Sequence, residues 1–176
     1  MSQKTLKKPK KPRFSERQQN IFNFLKNNPV AVLSTATKQG HPHGTVIYFY
    51  ISPSFEIFFI TKDHTHKYKN ILQNNTVMLI VFDAKSQTVC QIEGGTSRVA
   101  SKSDFNEIFT QIVKKSMQKS IAGELPISKI NAGDYIALKI HPDTIKFSVF
   151  ARPRPLNNDE LFESIGWYEL SSSNLP

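Results

Sequence analysis

The chain is expected to fold as a mainly β protein, an antiparallel barrel of about six to seven strands with flanking helices. Three observations point there. Runs rich in β-branched and aromatic residues recur at 30–35, 45–51, 55–61, 76–82, 88–100, 135–140 and 144–150. Turns of hairpin length separate most of them, such as "SPS" at 52–54. Only three stretches carry a helical period, too few to supply the crossover helices of a doubly wound sheet.

The first helix is read over 14–28, where Phe14, Ile21, Phe22, Phe24 and Leu25 fall on one side. Ser15, with Gln18 three residues on, has the form of a capping box, and "NNP" at 27–29 stops the helix. "VAVLST" (30–35) suits a short buried strand. "KQGHP" (38–42) turns the chain, because Gly40 accepts positive φ and Pro42 holds the preceding residue extended. "TVIYFYI" (45–51) and "FEIFFIT" (55–61) then form a hairpin. "KYKNILQ" (67–73) is helical and ends at "NN". "TVMLIVF" (76–82) is a strand, as is 88–100, where "GG" at 94–95 should bend or bulge it. Residues 103–119 read as an amphipathic helix capped by Ser103, with Phe105, Ile108, Phe109, Ile112 and Val113 on its apolar face. "YIALKI" (135–140) and "TIKFSVF" (144–150) are two closing strands, and after Phe150 no periodic pattern continues.

Three segments follow: a basic arm at 1–13, one domain at 14–150, and an extension at 151–176. The net charge of +9 resembles a nucleic-acid signal until it is located. Six cations of the arm, "KKPKKPR" among them, stand without an acid, which leaves +3 for everything else. Such a segment is expected to be disordered and able to attract a phosphate backbone, but it lacks the aromatics of single-strand binding. Trp167 and Tyr168 in the extension should pack on this chain's surface or on a second subunit.

No apolar run approaches the roughly 20 residues of a membrane span, and the N-terminus is not a signal peptide. The lone Cys90 reads as a core residue in a reducing compartment, hence cytoplasmic. His41 and His43, and His64 and His66, form HxH pairs at turn edges, but no cysteine or carboxylate joins them at metal spacing, so no metal site is expected. No GxSxG or phosphate-loop pattern is present.

"FFITKDHTHKYKN" (58–70) is harder to place. An apolar run stops at Thr61, and hydroxyls, two histidines and three lysines follow. A solvated turn and a held phosphate both account for it.

Here the chain resembles a family. "PVAVLSTATKQGHPHGTVIYFY" (29–50), "FEIFFITKDHTHKYKNILQNNTVMLIVFD" (55–83) and "VCQIEGGTSRVA" (89–100) are similar in order and spacing to the pyridoxamine 5′-phosphate oxidase-like, FMN-binding split barrels. The resemblance covers roughly 15–150. It implies a split β-barrel, an oxidoreductase activity through the flavin N5, and a homodimer with two FMN sites at the subunit interface. It also implies that Thr61, Thr65, His66 and Lys67 hold the phosphate, with Ile60 beside them at the strand end. The strand from His43 through Thr45 and Val46 to Ile47 would run along the isoalloxazine ring. Where the oxidase proper meets the flavin with a glutamine, this chain has Val89, with Gln91 two positions on and on the same face. The arginine signature that grips pyridoxamine phosphate is not recognisable, although Arg152 and Arg154 follow the last strand.

The residues agree with the phosphate. Lys67 falls in the first turn of a helix, where the dipole is positive and a cation is misplaced. A phosphate dianion removes the conflict, since helix-start amides and the lysine then face one ligand. The electron donor or acceptor is a small molecule of unknown identity. Coenzyme F420 as cofactor, or flavin or haem bound without catalysis, are the alternatives.

Overall fold

The computed structural model describes residues 15–119 and 133–150, and the backbone alone of 117–119 and 162–166. The basic arm, Arg152, Arg154, Trp167 and Tyr168 lie outside the described residues.

Inward and outward residues alternate along each strand, and this alternation builds the barrel. The strands are β1 (Val30–Ala36), β2 (Pro42–Ile51), β3 (Ile57–Lys62), β4 (Thr76–Asp83), β5 (Thr88–Arg98), β6 (Tyr135–Val149) and β7 (Phe162–Gly166). The helices are α1 (Glu16–Asn27), α2 (His66–Gln73) and α3 (Lys102–Lys119). Every pairing is antiparallel, in the order β3-β2-β1-β4-β5-β6-β7. The first half of β6 also pairs with β3, from Ile57 opposite Ile140 to Lys62 opposite Tyr135, and so closes six strands into a barrel. Closure pairs β3 with the first half of β6, while β7 stands as an edge strand outside the closed six.

The interior is filled by Leu33, Phe49, Ile57, Phe59, Leu79, Ile92, Ile140 and Ile145, each essentially without solvent contact. Burying each such side chain contributes roughly 1.5–3 kcal/mol. Ile21 and Leu25 bring α1 onto this cluster, and Tyr68 and Ile71 bring α2. A second cluster lies outside the barrel, where Ile108 and Ile112 of α3 cover Ile60, Ala137 and half-buried Tyr48, Tyr50 and Phe58. Cys90 is wholly buried, and burial pushes its thiol pKa up, as a core residue requires.

The capping box forms as expected. The Gln18 amide donates to Ser15 Oγ, and the Ser15 amide donates to Gln18 Oε1. Four expectations need correction. Helix α3 starts at Lys102, and it is Ser101 Oγ, not Ser103, that accepts the Asp104 amide at 3.4 Å. Strand β2 starts at Pro42 rather than residue 45, because Ala36 and Thr35 of β1 extend far enough to pair Pro42 and His43. The two closing strands are one continuous β6. Its Pro142 sits between the stretch paired to β3 and the stretch paired to β7, so the missing N–H faces no strand on that edge. Finally, β7 lies in the extension where no element was read.

The bulge falls where the glycine pair predicts. The β5–β6 register slips between Glu93 and Gly94, which leaves Asp143 unmatched. The backbones approach so closely that a Cβ on Gly94 would lie 2.1 Å from the His141 carbonyl oxygen.

Candidate functional site

Strand β3 ends at Lys62, the chain turns through Asp63 and His64, and α2 begins. Asp63 secures this turn: its amide donates to the Asp134 carbonyl, and its Oδ1 accepts the Asp134 amide, both at 3.1 Å. His64 pairs with the same carboxylate and holds it below the usual range.

The turn places two hydroxyls in contact. Thr65 Oγ1 donates to the Lys62 carbonyl at 2.7 Å, so the 2.9 Å contact with Thr61 Oγ1 takes its proton from Thr61. Both hydroxyl protons are therefore held within the turn. Thr65 occupies the N-cap position of α2 without making a side-chain cap. The first helical bond runs from the Lys69 amide to the Thr65 carbonyl, and the amides of His66, Lys67 and Tyr68 precede it. Those uncapped amides and the positive end of the helix form an anion-seeking surface.

Lys67 stands on it. The residue is 9% exposed, and burial, which is partial at the ammonium itself, lowers its pKa. No hydrogen bond or ion pair engages it among the described residues. Neighbouring Lys62 is also buried, but its ammonium lies 4.8 Å from the centre of the Tyr135 ring. A cation taken out of water without a counter-charge is costly, and an anion bound there would offset that cost.

His43 of β2 closes the cradle. Its ring centre is 5.8 Å from that of His66, and its Nδ1 is buried without a hydrogen-bond partner. Two residues that sequence reasoning missed hold α2 against β1 and β2. Buried Asn70 donates from Nδ2 to Thr35 Oγ1 at 3.1 Å, and that hydroxyl donates to the His43 carbonyl at 3.3 Å. The signal available was an asparagine on the apolar face of an eight-residue helix, between Tyr68 and Ile71.

The expected site residues divide into three groups. His43, Thr61, Thr65, His66 and Lys67 come together around the start of α2, with Thr45 one step further along the inner face of β2. Val46 and Gln91 belong to the outer face of the sheet, in one cross-strand row that runs Val46–Val32–Ile80–Gln91. The Ile60 side chain joins neither group, since it is buried beneath α3. Among the described residues no cluster of three metal-ligating side chains occurs, and no helix is long and apolar enough to cross a membrane.

Residues 18–149 match the pyridoxamine 5′-phosphate oxidase family, and the chain belongs to it. Solved structures share the fold at low identity. A pyridoxamine 5′-phosphate oxidase-related, FMN-binding protein of Nostoc punctiforme is 12% identical, with a TM-score of 0.56, over 88% of this chain and 98% of that one. A haem-binding protein of Mycobacterium smegmatis is 11% identical, with a TM-score of 0.64, over 91% of this chain and 61% of that one. A haem storage protein of Vibrio cholerae is 16% identical, with a TM-score of 0.51, over 71% of this chain and 89% of that one. No curated protein matches the chain.

Proposed function

We propose that the chain is an FMN-dependent oxidoreductase that works as a homodimer on a small-molecule electron donor or acceptor. The observation that carries this reading is Lys67, a buried residue whose half-buried ammonium has no anionic partner among the described residues, at the start of a helix whose N-cap side chain makes no cap. The FMN-binding relative of the same fold supports it. Bound FMN supplies hydride transfer at its N5, while this chain supplies orientation and charge. The Lys67 ammonium and the first-turn amides of α2 hold the phosphate, each charge-assisted bond contributing roughly 1.5–3 kcal/mol. With their protons spent inside the turn, Thr61 and Thr65 shape the cradle and would turn outward to donate to the ligand. A buried, unreactive Cys90 suits the reducing cytoplasm.

The visible spectrum of the purified protein, followed by FMN titration of the stripped protein, tests the reading. A flavin spectrum and saturable binding are expected. Lys67→Ala should weaken FMN binding about tenfold, or ~1.4 kcal/mol, with the fold intact. Colourless protein that takes up neither FMN nor F420 overturns the proposal, and comparing the two affinities by fluorescence quenching separates those cofactors.

Haem is the second reading, favoured by the orphaned Nδ1 of His43 beside His66 and by the two haem proteins of this fold. His64 is engaged by Asp63, so His43 and His66 are the ligand candidates. A Soret band on haem addition, lost when both are changed to Ala, is its signature.

A further inference from the structure

Away from the cradle, a cavity of about 400 Å³ opens between the first half of α3 and the β2–β3 hairpin. Tyr50 stands at the far end of β2 from His43, about 23 Å away at the usual rise of a strand. The two sites share no residue, and β2 turns Tyr50 outward while His43 faces in. The cavity floor is aromatic: the Tyr50 and Phe58 rings stack at 6.1 Å and 27°. Val99 and Ile108 add apolar walls.

The rim is acidic, although the domain as a whole is basic. Glu56, Asp104 and Glu107 line it, with Lys139 as the cationic side chain among them. Lys139 Nζ bonds Glu56 Oε1 at 2.7 Å, so that pair is neutral. Asp104 and Glu107 have no ion-pair partner among the described residues. Asp104 also suits the positive start of α3, but Glu107 lies a turn further on, where the dipole explains less. Glu107 is close enough to act with burial in pushing the Tyr50 hydroxyl pKa up. His141 Nδ1 lies 3.9 Å from Glu56 Oε1, but no histidine or cysteine lines the cavity beside Asp104 and Glu107, which disfavours a transition metal. Aromatic faces beneath uncompensated carboxylates match the chemistry of an organic cation, held by ring quadrupoles and by charge.

We propose that this cavity binds a small organic ammonium ion, its apolar body on the Tyr50–Phe58 pair and its charge between Asp104 and Glu107. The inference stands apart from the flavin reading. Its test is titration of 2-phenylethylammonium into the full-length, isotope-labelled protein, followed by calorimetry and by amide shifts of Tyr50, Phe58 and Glu107. Saturable binding is expected, at least about tenfold tighter than for 2-phenylethanol and absent for phenylacetate, a discrimination of ~1.4 kcal/mol. Asp104→Asn with Glu107→Gln, whose side chains are solvent-exposed, should lose most of that preference at unchanged Tm. Lys67→Ala should bind the probe as the natural protein does. Equal affinity for the alcohol, undiminished binding by the folded double variant, or shifts confined to other residues would each overturn the site.

Discussion

Burial lowers the Lys67 pKa in the folded chain, and the sign of that shift has a consequence for stability. In the unfolded chain the ammonium titrates near pH 10.4, so below the folded-state pKa the group is charged in both states and the desolvation cost is fully present. The cost is relieved only as pH rises through the folded-state value toward the unfolded one. Cofactor-free protein at neutral pH therefore carries a destabilising lysine, which the proposed phosphate site would account for. Lys67→Met keeps the stem and removes the charge. It should raise the Tm of the stripped protein by up to about 2 °C, a small shift because solvent screens a half-buried ammonium. The advantage should shrink in calorimetric scans toward pH 10, and the same variant should bind FMN poorly. A lowered Tm at neutral pH would mean that Lys67 already has a partner.

Elements show which physics is local and which is not. Ser15 and Gln18 lie three residues apart and signal their capping box by themselves. Lys67 at a helix start was legible for the same reason, since helix polarity is a property of the segment. The α3 cap is ambiguous in the sequence because Ser101 and Ser103 both precede the apolar period, and their hydroxyls, 2.6 Å apart, share the corner. Strand β6 read as two because Pro142 and Asp143 have turn chemistry, and only the pairing pattern of its neighbours shows why proline is harmless there. Asn70 and Thr35 are 35 positions apart, and nothing local announces their bond. The bulge permits a sharp test. Gly94→Ala drives a methyl into the His141 carbonyl, so it should destabilise by at least about 1–3 kcal/mol in urea unfolding. Gly95→Ala should cost far less, because its added Cβ meets only the Asn75 side chain at 3.9 Å. Equal losses at the two positions would deny the close approach.

At the scale of the whole molecule, the outer face of β2, β1 and β4 is the unfinished surface. Val46 is 63% exposed and Val32 42%, and register places them side by side, next to half-buried Ile80. Phe82, at 59%, extends the apolar surface along β4. Among the described residues this row stays exposed, and in the proposed homodimer a second copy would cover it. In a two-fold interface one substitution enters twice, so a single charge on this row becomes a repelling, desolvated pair. Val46→Glu should therefore convert a dimer to monomers in sedimentation velocity. Because Val46 is exposed in the single chain, the monomer's own stability should stay within about 0.5 kcal/mol. The outcome also bears on the site. Gln91 lies on the same cross-strand row, which continues to Lys146 and Ser164, while Lys67 and the α2 amides follow the end of β3. If the flavin ring leans across that row into a neighbouring subunit, the monomeric variant should keep part of its phosphate affinity and lose the spectral shift of a buried ring. A natural protein that sediments as a monomer at all concentrations, or a Val46→Glu variant that stays dimeric, would remove this face as the subunit interface.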